Sequence, residues 1–119
     1  MDIQSVYEYC LSKKGVTEHF PFDEDTLVFK VGNKMFCLLS LKDWETSDRK
    51  LTLKCDPERA QILRSEFEAV QPGYHASKIH WNTVHLGQDL PSLEILKLID
   101  HSYELIVESL PKKVRETLS

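Results

Sequence analysis

Residues 26–41 read TLVFKVGNKMFCLLSL, two apolar runs that are separated by Gly32-Asn33. A two-residue linker between such runs predicts a β-hairpin. We expect a type II′ turn, because glycine tolerates the positive φ of the first turn position. The resulting register places Phe29 opposite Phe36. An antiparallel hairpin is therefore expected at the centre of the fold.

Amphipathic helices are predicted on both sides of this hairpin along the chain. Residues 2–14 have apolar residues spaced three and four apart, with Asp2 as the expected N-cap. Residues 56–68 begin with an Asp-Pro pair, which is typical of a helix start. Residues 91–109 carry a broad apolar stripe, and a short last helix is expected to begin at Pro111.

The remaining segments predict more strands and two irregular connections. Further strands are expected at 17–22, 50–55 and 79–86. Residues 42–49 are expected to form a polar loop, and residues 71–74 a type II turn. In the strand at 50–55, alternation predicts one buried face and one wet face. The order of elements favours a single α+β domain over residues 1–119, a two-layer sandwich whose antiparallel sheet has its helices packed on one side.

Composition and charge are those of an ordinary globular protein. The chain has 119 residues, 41% hydrophobic and 29% charged, with a formal net charge of −4. An acidic balance argues against strong non-specific binding to nucleic acid or to anionic membranes. The charge is unevenly spread, because residues 26–87 as a whole have a net charge of +2 and the segments 1–25 and 88–119 are both acidic. No apolar run could span a membrane, and the N-terminus lacks a signal-peptide pattern, so a cytoplasmic location is expected.

No pattern typical of a catalytic, metal or cofactor site is found in the sequence. The three isolated cysteines are expected to be buried free thiols. His75, His80 and His85 are five residues apart, which does not match the spacing of zinc ligands. Residues 100–102 read Asp-His-Ser, but consecutive helical residues point in different directions and cannot form a triad. We expect no metal and no cofactor.

The segment 72–83 reads PGYHASKIHWNT and contains no acidic residue. Its mixture of basic, aromatic and amide side chains suits phosphate contacts combined with stacking or base-edge recognition. The same composition suits a strand whose Trp81 belongs to the core. The candidate contact residues in this segment are His75, Lys78, His80, Trp81 and Asn82.

Two parts of this segment, Gly-Tyr-His at 73–75 and Lys-Ile-His-Trp-Asn-Thr-Val at 78–84, resemble the hallmark of the MmcQ/YjbR-like family of small bacterial proteins. The similarity continues at 15–18 and 20–22, at 25–31 and 34–36, and at 53–58, 89–91 and 99–103, and so spans nearly the whole chain. Where that family typically reads His-Met-Asn-Lys, this chain reads His-Ala-Ser-Lys at 75–78.

The resemblance implies a CyaY-like (frataxin-like) fold and a proposed double-wing arrangement of hairpins that binds DNA. Frataxin-type iron binding does not transfer, because the first helix offers only Asp2 and Glu8 as carboxylates.

Three functions are consistent with the sequence. In the first, the protein binds double-stranded DNA as a monomer or weak homodimer, and Asn82 reads an adenine edge. DNA phosphates would then be neutralised by four lysines, Lys30, Lys34, Lys54 and Lys78. In the second, it is a non-enzymatic module that binds a protein or a small ligand through the last helix or the aromatic side chains. In the third, His75, His80 and Lys78 perform acid–base chemistry.

Overall fold

A computed structural model describes residues 1–74 and 76–118 of the chain. The strands are β1 (Val16–His19), β2 (Thr26–Val31), β3 (Lys34–Ser40), β4 (Lys50–Lys54), β5 (Val70–Pro72) and β6 (Trp81–His85). The helices are α1 (Ile3–Ser12), α2 (Leu41–Glu45), α3 (Pro57–Glu66), α4 (Ser92–Ser109) and α5 (Lys112–Glu116). The strands form one antiparallel sheet in the order β1-β2-β3-β4-β6-β5. The predicted α+β class, with helices on one side of an antiparallel sheet, is confirmed.

Local signals place the starts of the first long helices correctly. The Asp2 carboxylate accepts a hydrogen bond from the Ser5 amide at 2.8 Å, as an N-cap does. The Asp56 carboxylate accepts from the Arg59 amide at 3.1 Å, and Pro57 occupies the first turn of α3.

The β2–β3 hairpin is present, but its turn and its register differ from the prediction. Gly32 and Asn33 have φ of 56° and 66°, and two positive values are the mark of a type I′ turn. Phe29 pairs with Cys37 instead of Phe36, because a bulge shifts the register after Phe29. The bulge lets both Phe36 and Cys37 bury their side chains completely.

Two segments were assigned wrongly from the sequence. Residues 41–45 form α2 rather than a loop, and the Ser40 hydroxyl caps this helix by accepting from the Asp43 amide at 3.3 Å. Residues 70–72 form β5 rather than part of a turn. A proline is tolerated there because β5 lies at the edge of the sheet, where a missing N–H leaves no ladder partner unsatisfied.

The core lies between the sheet and the helices, with α4 packed across β2, β3 and β4 and α1 packed against β1. The sheet residues on this side are Leu27, Phe29, Leu39, Leu51, Leu53 and Val84. The three cysteines are free and buried, as predicted.

We call the other side of the sheet, opposite α1 and α4, the open face. Val28, Leu38, Thr52 and Thr83 form one row across four strands of this face. The centre of this face was expected to be exposed to water, but it is buried: Thr52 and Thr83 are only 6% and 2% exposed. Their hydroxyls are 3.1 Å apart, and Thr83 also accepts from the Tyr74 amide at 3.0 Å. The chain after β5 therefore folds back over this part of the sheet.

Candidate functional site

One end of the open face carries positive charge. Lys54 pairs with Trp81 across β4 and β6, and Lys30 pairs with Met35 across β2 and β3. Among residues 1–74 and 76–118, no acidic side chain forms an ion pair with Lys30 or Lys54. Both lysines were candidates from the sequence, and the structure brings them to the same side of the sheet.

The loop that precedes β6 adds to this end. The Lys78 ammonium donates to the Gly73 carbonyl at 3.0 Å, next to Trp81, and the Lys78 side chain stays exposed. His80 is also exposed, while its carbonyl accepts from the Cys55 amide at 2.8 Å. We call Lys30, Lys54, Lys78 and Trp81 together the cationic end.

Lys34 does not join the cationic end. It pairs with Val31, whose side chain is buried in the core, and paired residues of antiparallel strands share a side of the sheet. Its side chain therefore leaves the hairpin on the helix side, although it is exposed. His75 was also named from the sequence, and it lies outside the residues that the structure describes.

Asn82 is not placed where the sequence analysis expected it. Its side chain is 2% exposed, and its amide oxygen accepts from Arg64 Nε at 2.7 Å. It pairs with Leu53, so it belongs to the helix side of the sheet. Arg64 also donates to the carbonyls of Lys78 and Trp81. The prediction that Asn82 reads a base edge is therefore wrong. Asn82 instead binds Arg64, whose other hydrogen bonds hold the loop that carries Lys78.

Trp81 is neither a core side chain nor a fully exposed platform. It is half-buried, and its backbone carbonyl accepts from the Gly73 amide at 2.9 Å. A Cβ atom on Gly73 would lie only 2.8 Å from the Trp81 Cβ. The backbone segments around residues 73 and 81 approach closely because residue 73 is a glycine.

A groove of about 440 Å³ crosses the open face beside the cationic end. Its lining is formed mainly by Phe22, Met35, Leu38, Thr52, Tyr74 and Ala76, with Asp23, Asp43 and Lys50 among the charged side chains. The Phe22 and Tyr74 side chains are 67% and 61% exposed. From the sequence, Tyr74 was part of the 72–83 segment but was not among its candidate contact residues, and Phe22 was assigned only to a strand. Pro21 was the sequence signal that the strand ends before Phe22, because proline is disfavoured inside a sheet.

The far end of the groove carries more carboxylates than ammonium groups, in contrast to the cationic end. The Lys50 ammonium is 2.7 Å from Asp48 Oδ2 and 3.5 Å from Asp43 Oδ2. The hydrogen bond to Asp48 raises the pKa of Lys50, and the same bond lowers the pKa of Asp48. Lys50 also lies 5.6 Å from the centroid of the Tyr74 ring, a cation–π contact.

The Asp-His-Ser sequence at 100–102 serves the scaffold. The Asp100 carboxylate accepts from the Tyr9 hydroxyl at 2.6 Å, and His101 Nε2 accepts from the Asp56 amide at 3.2 Å. The Ser102 hydroxyl bonds the backbone of β3 and β4. The three side chains bind different parts of the scaffold, as expected for consecutive helical residues that point in different directions.

Two further findings concern the described residues. No cluster of three histidine, cysteine or acidic side chains within 1–74 and 76–118 is arranged to hold a metal ion. None of the helices in this part of the chain has the length and apolar character needed to cross a bilayer.

The sequence model of the YjbR family matches residues 11–105, which include all six strands and both ends of the open face. The chain belongs to the YjbR family. It is 34% identical over 119 residues to the uncharacterised protein YjbR of Escherichia coli K12, covering 99% of this chain and 98% of that one. The resemblance found in the sequence is thus confirmed.

Solved structures of similar proteins have the same fold. A crystal structure of a Deinococcus radiodurans protein with a DUF419 domain superposes with a TM-score of 0.85 at 34% identity, covering 98% of this chain and 87% of that one. A crystal structure from Pseudomonas syringae superposes with a TM-score of 0.72 at 28% identity, covering 88% of this chain and 98% of that one. The YjbR-family fold of the chain therefore rests on both sequence and structure.

Proposed function

We propose that this YjbR-family protein binds DNA through the cationic end of its open face. The observation that carries the proposal is the pair Lys30 and Lys54, which share one side of the sheet and form no ion pair with any described acidic residue. Lysines without acidic partners are the groups that neutralise backbone phosphates. Trp81, paired with Lys54, offers a half-buried ring beside them.

The net charge of −4 limits the affinity for DNA, but it does not change the local positive charge of the cationic end. Binding would depend on the local charge of the cationic end, while the rest of the molecule repels a polyanion. We therefore expect weak binding at low salt, by a monomer or a weak homodimer, and its loss at moderate salt.

Double-stranded DNA remains a partner in this proposal, but without sequence readout. Phosphate contacts position a protein on DNA and carry no sequence information directly. The amide that could have read an adenine, Asn82, is buried on the other side of the sheet. A cytoplasmic location is part of the proposal, and it is supported by three cysteines that are free thiols.

The experiment is a salt titration of binding to a labelled 20-base-pair duplex by fluorescence anisotropy. Each phosphate contact contributes about 0.9 to the slope of log K against log salt. The double variant Lys30→Gln with Lys54→Gln should therefore bind more weakly and lose about 1.8 from this slope.

The control is Lys97→Gln with Lys112→Gln, which removes the same charge from exposed positions on α4 and α5. It should bind like the wild-type protein. Equal weakening by the two double variants would show that only the global charge matters and would contradict the proposal.

A second candidate function is the non-enzymatic binding of a small apolar ligand. The size of the groove favours this function. A volume of about 440 Å³ lies within the range of small-molecule sites. Ligand-detected NMR with a library of small aromatic compounds would test this function. Signals that disappear when Tyr74→Ala replaces the wild-type protein would support it, and a library without any binder would contradict it.

A further inference from the structure

We infer that the groove receives one unstacked base of single-stranded DNA while the adjoining phosphates lie on the cationic end. This inference rests on the proposed DNA binding and adds the form of DNA that the site prefers.

The groove and the cationic end are continuous. Met35 lines the groove and is the cross-strand partner of Lys30. Thr52 also lines the groove and precedes Lys54 by two residues on β4, a separation of about 7 Å along a strand. A ligand in the groove therefore lies next to Lys30 across β2 and β3, and about two residues from Lys54 along β4.

The walls of the groove suit a base. Phe22 and Tyr74 expose their rings beside an apolar floor formed by Met35 and Leu38. Aromatic rings bind bases by stacking, and they do so with little sequence preference because every base has a flat face. The cation–π contact with Lys50 holds the Tyr74 ring in position before any ligand arrives.

The distribution of charge orients the ligand. Asp23 and Asp43 line the groove, and their carboxylates repel phosphate but can accept hydrogen bonds from exocyclic amines of a base. The lysines of the cationic end attract phosphate. Charge complementarity thus directs the phosphates towards Lys30 and Lys54 and the base edge into the groove.

A single strand meets these requirements at a lower cost than a duplex. A base within a duplex is paired and stacked, so it must be extruded before it can enter a recessed site. In a single strand the bases unstack readily and can lie on aromatic side chains. We therefore expect the protein to prefer a single strand to a duplex of the same sequence.

The test measures anisotropy at low salt with a mixed-sequence 12-nucleotide DNA, the matching duplex and the matching RNA. The wild-type protein should bind the single-stranded DNA most tightly. Tyr74→Ala should lower the affinity for the single strand at least about 5-fold, the lower limit expected from losing one stacking contact, and leave duplex affinity unchanged. Phe22→Ala should act in the same direction.

Leu93→Ala is the control, because Leu93 is also exposed, at 62%, but lies at the start of α4. It should change neither affinity. Circular dichroism melts of all variants should overlay, since the substituted side chains are mostly exposed.

The possible failures are distinguishable. Duplex binding that depends on Lys30 and Lys54, without a preference for the single strand and without an effect of Tyr74→Ala, would overturn the inference and leave the proposed function in place. Tighter binding of the RNA than of the DNA would overturn the choice of DNA as the occupant. If no nucleic acid is bound at low salt, the proposed function fails and the inference fails with it.

Discussion

Arg64 on α3 donates from Nε to the amide oxygen of Asn82 on β6 at 2.7 Å, and this bond joins the helix layer to the strand that follows the loop carrying Lys78. The same guanidinium donates to the Trp81 carbonyl at 3.1 Å and to the Lys78 carbonyl. One side chain thus satisfies a buried amide and holds the loop that carries Lys78.

The first prediction concerns this guanidinium. Arg64→Ala should lower the free energy of unfolding by roughly 1–3 kcal/mol, because it leaves the buried Asn82 oxygen without a donor. Urea denaturation followed by circular dichroism measures the change. Arg115→Ala, at an exposed position of α5, is the control and should leave the midpoint nearly unchanged. Equal midpoints for the two variants would argue against a structural role of the Arg64–Asn82 bond.

The second prediction concerns acid. Asp89 accepts from the Ala69 and Glu68 amides, both at 2.8 Å, and these two backbone hydrogen bonds lower the pKa of its carboxyl group. A depressed pKa contributes stability that is present above the ordinary value of 3.8 and is lost as pH falls through the folded-state value. Asp89→Asn should therefore be less stable than the wild-type protein at pH 7.

The difference between the two proteins should shrink as the pH is lowered below that ordinary value. Urea unfolding at several pH values between 7 and the acid limit of folding, for both proteins, provides the comparison. A stability difference that stays constant over the whole range would show that ionisation of Asp89 is not the cause.

The third prediction concerns neutral pH. Burial lowers the pKa of His101, with a smaller contribution from nearby Arg59, and its neutral Nε2 accepts from the Asp56 amide at the start of α3. The unfolded chain takes up a proton first as pH falls below the ordinary value of 6.5. The contribution of His101 is therefore complete above pH 6.5 and decreases below it.

His101→Gln keeps a neutral side chain at this position without a titratable ring. The stability of the wild-type protein should fall relative to this variant as the pH is lowered below 6.5, as measured by urea denaturation at closely spaced pH values. If the two stability curves run in parallel, His101 does not titrate with folding.

The fourth prediction separates scaffold from site at Trp81. Since the ring is half-buried, Trp81→Ala should lower stability by about 1–3 kcal/mol, less than the roughly 3–5 kcal/mol of a fully buried aromatic. Trp81→Phe should recover most of this stability. If the ring also contacts DNA, Trp81→Ala should weaken binding in the anisotropy assay under conditions where it stays folded. A loss of 4 kcal/mol or more would instead place the ring among core side chains.

The sequence predicted those features that depend on neighbouring residues. The N-caps Asp2 and Asp56, the proline at the start of α3 and the two-residue turn of the β2–β3 hairpin are set by backbone chemistry within a few positions. The fold class and the family followed, because the order of these elements and the 73–84 segment are also read along the chain. Alternation along a strand also sets the side of the sheet on which Lys30 and Lys54 lie.

Only the tertiary structure decided which side chains share a surface. Asn82 belongs to the helix side because β6 inserts between β4 and β5, which pairs it with Leu53 and brings it to Arg64. The bulge in β3 follows from the burial of both Phe36 and Cys37 against the helices, and the groove forms where Phe22 and Tyr74, 52 residues apart, line the same part of the sheet. These outcomes depend on packing between distant segments. A local pattern of residues predicts the pairing of two strands joined by a short turn, but it does not predict the pairing of strands that are far apart along the chain.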